Sequence, residues 1–274
     1  MTGKMDKSNG ASLFVAPLLL ALPVLTAAAG PGWAAVIHVN DGGDGTSGCS
    51  LSEAITSAKN DDADGNGCEN GSGDDIIYLE TDITLDAALP WITSNINIEG
   101  GGHFISGNND PDVGSVLHIT DTGNLTLHET TVKDGSGGGI YNSGGIVTLN
   151  DSTISNNNSY VFKSIGHGGG VRNNGGMVIL SNCTITGNTV SWGGDATQQQ
   201  EGYRGLFYSG GGIYNDDDGA LILSNSTVNG NTVEAPGSNN KAYGGGIYNR
   251  SGTVTLYSSL ISGNTAGNGN EVYC

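Results

Sequence analysis

Apolar and polar residues alternate with a period of two in short bursts along the second half of the chain. Val147 and Leu149 lie in IVTLN, Val178 and Leu180 in MVILS, Leu221 and Leu223 in ALILS, and Val254 and Leu256 in TVTLY. Alternation over four or five residues predicts a half-buried strand rather than a helix. Each burst follows a word GGG-apolar-x-Asn with one aliphatic residue: Ile140, Val171, Ile213 or Ile247. Each precedes a third aliphatic position, at Ile154, Ile185, Val228 or Ile261. Gly, Asn, Asp and Ser fill the gaps, as turns require. The pattern therefore predicts three short strands per unit with no helix between them.

One window breaks this rule. In CSLSEAITSAKN, Leu51, Ala54, Ile55 and Ala58 fall at i, i+3, i+4 and i+7, which is one face of a helix. Ser50 followed three residues later by Glu53 predicts a capping box. A short amphipathic helix here would cover the open first coil of a stack, protecting its edge and its core.

The units repeat. Copies begin at Gly137, Gly168, Gly210 and Gly244, and a worn copy runs from Gly114 to Gly135. A spacing of about 22 residues from the triple glycine to the following Gly-Asn pair suits a solenoid, with one structural unit per repeat. It is too short for a four-stranded propeller blade. The expected fold is all-β, a right-handed parallel β-helix of the pectin-lyase-like kind with a short N-terminal capping helix. One coil alone buries too few aliphatic side chains to offset the entropy of ordering its residues, so coils must stack. Stacking places Ile140, Val171, Ile213 and Ile247 inside and Asn142, Asn173, Asn215 and Asn249 in an amide ladder. It turns Tyr141, Arg172, Tyr214 and Tyr248 outward. Asp75 to Asn109 reads as two or three earlier coils, for seven or so in all. The chain stops at EVYC, whose residues read as the first strand of one more coil.

Composition narrows the class. Of 274 residues 48 are Gly and only 6 Pro, yet no Gly-X-Y period exists, so collagen is excluded. The formal charge of −18 repels nucleic acid and anionic lipid, so neither is an expected partner. Lys4 and Lys7, the apolar stretch Leu13 to Leu25 broken by Pro17 and Pro23, and the small residues after it read as a secretory signal over residues 1–34. Cleavage is expected after Ala29 or Ala34, leaving a single domain over 35–274 with its cap at 49–75 and no stable membrane insertion. Cys49 and Cys68 flank a short acidic segment and are expected to pair as a disulfide in an oxidising compartment. Cys183 and Cys274 read as a buried thiol and a terminal one.

At these residues a resemblance becomes specific. CSLSEAI resembles the CSLREA-type motif of secreted bacterial β-helix proteins, and the GGGIYN…STISGNTA words resemble repeats of those proteins and of polymorphic outer-membrane proteins. Ser52 stands where that motif often carries Arg, and Ile154, Ile185, Val228 and Ile261 stand where the outer-membrane repeat carries Phe. The resemblance implies a secreted or cell-surface β-helix and says little about activity.

Candidate chemistry falls in three places. Asp62, Asp64 and Asn66 match the first half of a calcium loop, with Asp74 close enough in sequence to complete it. The same residues also read as a solvated acidic turn, and no other cofactor is implied. Asp216, Asp217 and Asp218 form a second acidic cluster. Catalysis has thin support: His38, His103, His118, His128 and His167 are scattered, and no clear Asp pair shares a face with Arg172 or Arg250. The third place is the set of insertions between the Gly-Asn pair and the next triple glycine, at Ser159–His167, Ser191–Ser209 and Glu234–Tyr243. They carry Tyr160, Phe162, Trp192, Tyr203, Arg204, Phe207, Tyr208 and Tyr243, in a chain that is only 6% aromatic. Insertions at one point of a repeat project from one face, often the binding face. Such rings either meet a ligand or fold back as loop cores. The leading expectation is non-catalytic binding of a polysaccharide or a cell-surface protein. The alternatives are a polysaccharide lyase or hydrolase, marked by Asp clustered with Arg or Lys on one stacked face, and a structural adhesin or spacer.

Overall fold

The computed structural model describes residues 34–43, 48–62, 67–161, 166–192, 207–235, 241–267 and 272–273. The helix-period window forms α1 (Leu51–Asn60), and its capping box is complete. The Glu53 N–H donates to Ser50 Oγ at 3.3 Å, and the Ser50 N–H donates to Glu53 Oε2 at 2.9 Å. Asp61 ends the helix in the left-handed region, φ 53°. Leu51, Ala54, Ile55 and Ala58 are buried and close the first coil, whose strand Val36–Val39 packs beneath the helix. The Cys49–Cys68 disulfide ties the residue before the cap to the segment returning from the helix. No helix among the described residues is long and apolar enough to cross a membrane.

Three sheets wrap the core, and every pairing between their strands is parallel. The first has eight strands, running from Val36–Val39 through Asn124–His128, Ile146–Asn150, Met177–Ser181 and Ala220–Ser224 to Thr253–Tyr257. The second has seven, from Ile83–Thr84 to Leu260–Ser262. The third has six: Leu117–Ile119, Ile140–Asn142, Val171–Asn174, Ile213–Asp216, Ile247–Asn249 and Val272–Tyr273. The expected parallel β-helix is therefore present, with eight coils by its longest sheet rather than seven or so. EVYC does begin another coil, since Val272 pairs with Ile247.

Register puts like over like. Leu125, Val147, Val178 and Leu221 stack in one inward column and Leu127, Leu149, Leu180 and Leu223 in the next, all 0–1% exposed. At the corner between the first and second sheets the five coils from Asn124 onward each turn on one residue of positive φ: Glu129, Asp151, Asn182, Asn225 or Ser258, at 46° to 56°. Asn and Asp bear this conformation at low cost. The triple glycines have a different cause, because backbones of successive coils touch there. A Cβ on Gly170 would lie 2.7 Å from the Gly212 carbonyl, and one on Gly212 would lie 2.6 Å from that of Gly246.

Two amide ladders run through the core. Asn142 Nδ2 donates to Asn173 Oδ1, Asn173 to Asn215 and Asn215 to Asn249, at 2.7–2.9 Å. The second ladder joins Asn157, Asn188, Asn231 and Asn264 at 2.9 Å per step. Each of these side chains also donates to a carbonyl of the coil before, as Asn188 does to Ile154 O at 2.9 Å. The repeated Gly-Asn pair is thus a second structural column.

The insertions depart from expectation. Immediately after each Asn of the second ladder the chain forms a fourth sheet, of Asn158–Val161, Thr189–Trp192, Thr232–Val233 and Thr265–Ala266. It returns through a fifth, of Gly166–His167, Phe207–Ser209 and Lys241–Tyr243. Val190, Tyr208, Val233, Ala242 and Ala266 form a separate small core here, with Trp192 and Ala235 against it. The insertions stack into a ridge with its own packing, so the coils from Gly137 onward have four or five strands in place of the expected three, while the coil before them has three.

Candidate binding face

The outward column of the third sheet carries the most continuous chemistry on the surface. His118, Tyr141, Arg172, Tyr214 and Tyr248 occupy matched positions on successive strands. Trp91 extends the column upstream, because Ile92 bridges to Ile119 and so sets Trp91 beside His118. Alternation dictates this face: Ile140, Val171, Ile213 and Ile247 point in, so the next residue points out. The rings then meet. Trp91 and His118 lie 4.5 Å apart, and His118 and Tyr141 4.6 Å apart. The Arg172 guanidinium lies 4.9 Å over the Tyr141 ring. Tyr214 and Tyr248 are parallel to within 4° at 5.6 Å. Trp91 is 59% exposed.

The ridge forms the second wall. His167, Ser209 and Tyr243 are in register on its fifth sheet, next to Phe207 paired with Lys241. His167 stacks on Tyr214 at 4.1 Å, and Tyr243 reaches Tyr248 at 6.2 Å and Phe207 at 6.4 Å. His167 Nδ1 and Ser209 Oγ share a hydrogen bond of 2.8 Å. The ridge thereby covers Tyr214, which is outward on its strand yet 1% exposed, and leaves the column from Trp91 to Arg172 open.

Asp216 locks the floor of this corner. Its Oδ2 accepts from the Tyr214 hydroxyl at 2.8 Å and from Arg250 Nη1 at 2.9 Å, and its Oδ1 accepts from Ser251 Oγ at 3.2 Å. Burial would raise its pKa, but hydrogen bonds from Tyr214, the Asp217 backbone, Arg250 and Ser251 outweigh that and hold it below the usual carboxylate value. Burial first, then Asp216, push the Tyr214 hydroxyl up, so it stays a phenol. Burial, reinforced by Arg172, drops His167 to about 4, so its ring is neutral at pH 7. A carboxylate with both oxygens engaged, a buried phenol and a neutral imidazole make a rigid wall.

The other acidic and histidine residues separate. Asp217 accepts from Asn174 Nδ2 at 2.8 Å, away from Asp216. Asp62 follows the helix, and Asp74 Oδ1 accepts from Asn95 Nδ2 at 2.6 Å. Asp64 and Asn66 lie outside the described residues. Among the described residues no three His, Cys, Asp or Glu side chains gather as metal ligands. Three histidines each pair Nδ1 with a carboxylate of the neighbouring coil: His38 with Glu80, His103 with Asp82 and His128 with Glu99.

The aromatic residues singled out from the sequence divide. Tyr160 and Phe207 are 56% and 50% exposed, and Trp192 and Tyr243 are half-buried. Tyr208 is a correction: it is fully buried in the ridge core and not available to a ligand, because its strand pairs Tyr208 with Gly166 and Ala242 on the inner side. Phe162, Tyr203 and Arg204 lie outside the described residues. Sequence reasoning turned Tyr141, Arg172, Tyr214 and Tyr248 outward but read their word as packing alone. Trp91 and His118 were missed as members of the column, although aligning the worn copies on Ile92, Ile119 and Asn142 would have found them.

Fold and face together define a capped parallel β-helix solenoid with an aromatic column on one side. No protein-family model, no curated protein and no solved structure matches the chain.

Proposed function

We propose that the protein is exported and binds an extended glycan along the third sheet without altering it chemically. One observation carries this reading: the rings of Trp91, His118 and Tyr141 follow one another on successive strands, with centroids 4.5 and 4.6 Å apart and planes tilted by 35° and 43°. A continuous run of rings along one face, ending in the exposed Trp91, suits contact with the apolar faces of sugars in a linear chain. The signal-like N-terminus and the Cys49–Cys68 disulfide support export. The resemblance to CSLREA-type and outer-membrane repeat proteins is in keeping with a place outside the cell or on its surface.

A catalytic reading draws on His167, Tyr214, Asp216 and Arg250 in one corner. It lacks a free carboxylate there, and the phenol is buried. The test takes the protein from Ala35 onward and a panel of polysaccharides. Retention in affinity electrophoresis that Trp91→Ala and Tyr141→Ala each weaken by about tenfold is expected, the order of one stacking contact. Affinity should rise with oligosaccharide length and level off once the chain spans the column. Soluble products found by mass spectrometry would replace binding with catalysis, and their loss on chelation would bring the acidic loop at Asp62 into the mechanism. Neither retention nor products would leave a spacer.

A further inference from the structure

The charges near the column are distributed against the trend of the molecule. Acidic residues outnumber basic ones by 27 to 9 over the chain. Yet no Asp or Glu stands at any outward position of the column from Trp91 to Tyr248, nor beside Phe207, Ser209 and Tyr243 on the facing ridge. Of the five Lys and Arg among the described residues, three are here: Arg172 on the column, Lys241 beside Phe207, and Arg250 at the end of Asp216. The other two, Lys59 and Lys133, lie on the cap helix and the second sheet.

Arg172 is the telling residue. Among the described residues it forms no ion pair, and its Nε is buried with no hydrogen-bond partner. With no carboxylate beside it among the described residues, the guanidinium keeps its charge available to an incoming oxyanion. Its plane is already held over the Tyr141 ring, which removes much of the entropy of ordering a long side chain. The phenol of Tyr214 and the neutral His167 beside it add no negative charge, and Asp216 is matched by Arg250.

We infer that the bound glycan is anionic, and that Arg172 receives one of its oxyanions while the neighbouring rings hold the sugar faces. This rests on the glycan-binding reading above and specifies its ligand class. The planar fork of Arg matches a carboxylate or a sulfate, so uronate and sulfated sugars share the chemistry. Lys241, on the opposite wall, adds attraction without fixing geometry.

Calorimetric titration with three oligosaccharides of equal length tests this: an oligouronate, its carboxyl-reduced neutral form, and a sulfated form. An oxyanion-bearing chain should bind about tenfold or more tightly than the neutral one, the scale of one charge-assisted pair. The tighter of the two charged ligands tells which oxyanion fits. Arg172→Gln should remove most of the preference for the charged ligand, leaving the smaller share that Lys241 supplies. Lys241→Gln, at an exposed position, should lower charged binding less and make it less sensitive to salt. Equal affinity for charged and neutral chains, both weakened by Tyr141→Ala, would overturn the inference and keep glycan binding. A charge preference undiminished by Arg172→Gln would overturn it too. No binding of any chain would remove both readings.

Discussion

Asn188 shows how much one side chain of this fold carries. Its Oδ1 accepts from the backbone N–H and the side chain of Asn157, its Nδ2 donates to Ile154 O and to Asn231, and it is fully buried. Asn188→Ala strands several of these groups, at about 1–3 kcal/mol for each one left without a partner. A loss of about 3 kcal/mol or more in urea unfolding is expected, against a smaller loss for Asn264→Ala on the last coil. Cys183 is the contrasting case. Ser152 and Ser226 hold the equivalent position in the coils before and after it, and the Cys183 N–H donates to Ser226 Oγ at 3.0 Å. The single S–H of Cys183 faces Ser181 O and Leu149 O, 3.2 and 3.3 Å from the sulfur. Burial raises its pKa. Cys183→Ser should therefore change stability by about 1 kcal/mol or less. The native thiol should resist alkylation until the protein unfolds.

Among the elements, α1 is the one whose ends are both specified locally. Ser50→Ala removes the hydroxyl that accepts from Glu53 and should cost about 1 kcal/mol. Opening the Cys49–Cys68 bridge releases a closed loop and should cost about 3 kcal/mol on the chain-entropy account. Thermal melts with and without reductant would measure the second, and the first should persist in both. Because α1 seals the first coil, both losses should appear first as faster hydrogen exchange in Val36–Val39. The strands of the core differ from this helix in kind: none is stable alone, and each is held by the coils on either side.

For the whole molecule, the join between ridge and solenoid sets the response to acid. His167 is buried against Tyr214 and holds its pKa near 4, below the usual 6.5. The unfolded chain therefore binds a proton that the folded chain refuses. The contribution of this group to stability is full above pH 6.5, falls as pH drops from 6.5 toward 4, and is gone below it. His118, also lowered by burial, acts in the same sense. His128 acts in the opposite sense: its hydrogen bond to Glu99 raises its pKa, so its contribution is present below 6.5 and is lost as pH rises through the raised value. Its side chain is 39% exposed, and solvent screens that pair. Urea midpoints should fall between pH 6.5 and 4, and the slope should shrink in His167→Gln. An unchanged slope would show that the ridge does not bury this ring in solution.

Much of this architecture is legible in residue order. A coil is a local unit: its inward aliphatics, its turn residues and its capping box are set by neighbours a few positions away. Stacking repeats that unit in register, so Ile140 must meet Val171, and Asn142 must meet Asn173. The amide ladder, the outward place of Tyr141 and Arg172, the α1 boundaries and the buried Cys183 follow from that periodicity. The ridge does not follow from it. Its strands come from insertions of unequal length, so Gly166, Tyr208 and Ala242 share no fixed spacing that would reveal their pairing. Only the tertiary structure decides that Tyr208 faces a second core, that His167 lies over Tyr214, and that the column is covered at one end and open from Trp91 to Arg172. Local periodicity specifies which side chains leave the solenoid; contact between segments dozens of residues apart decides which of them reach water.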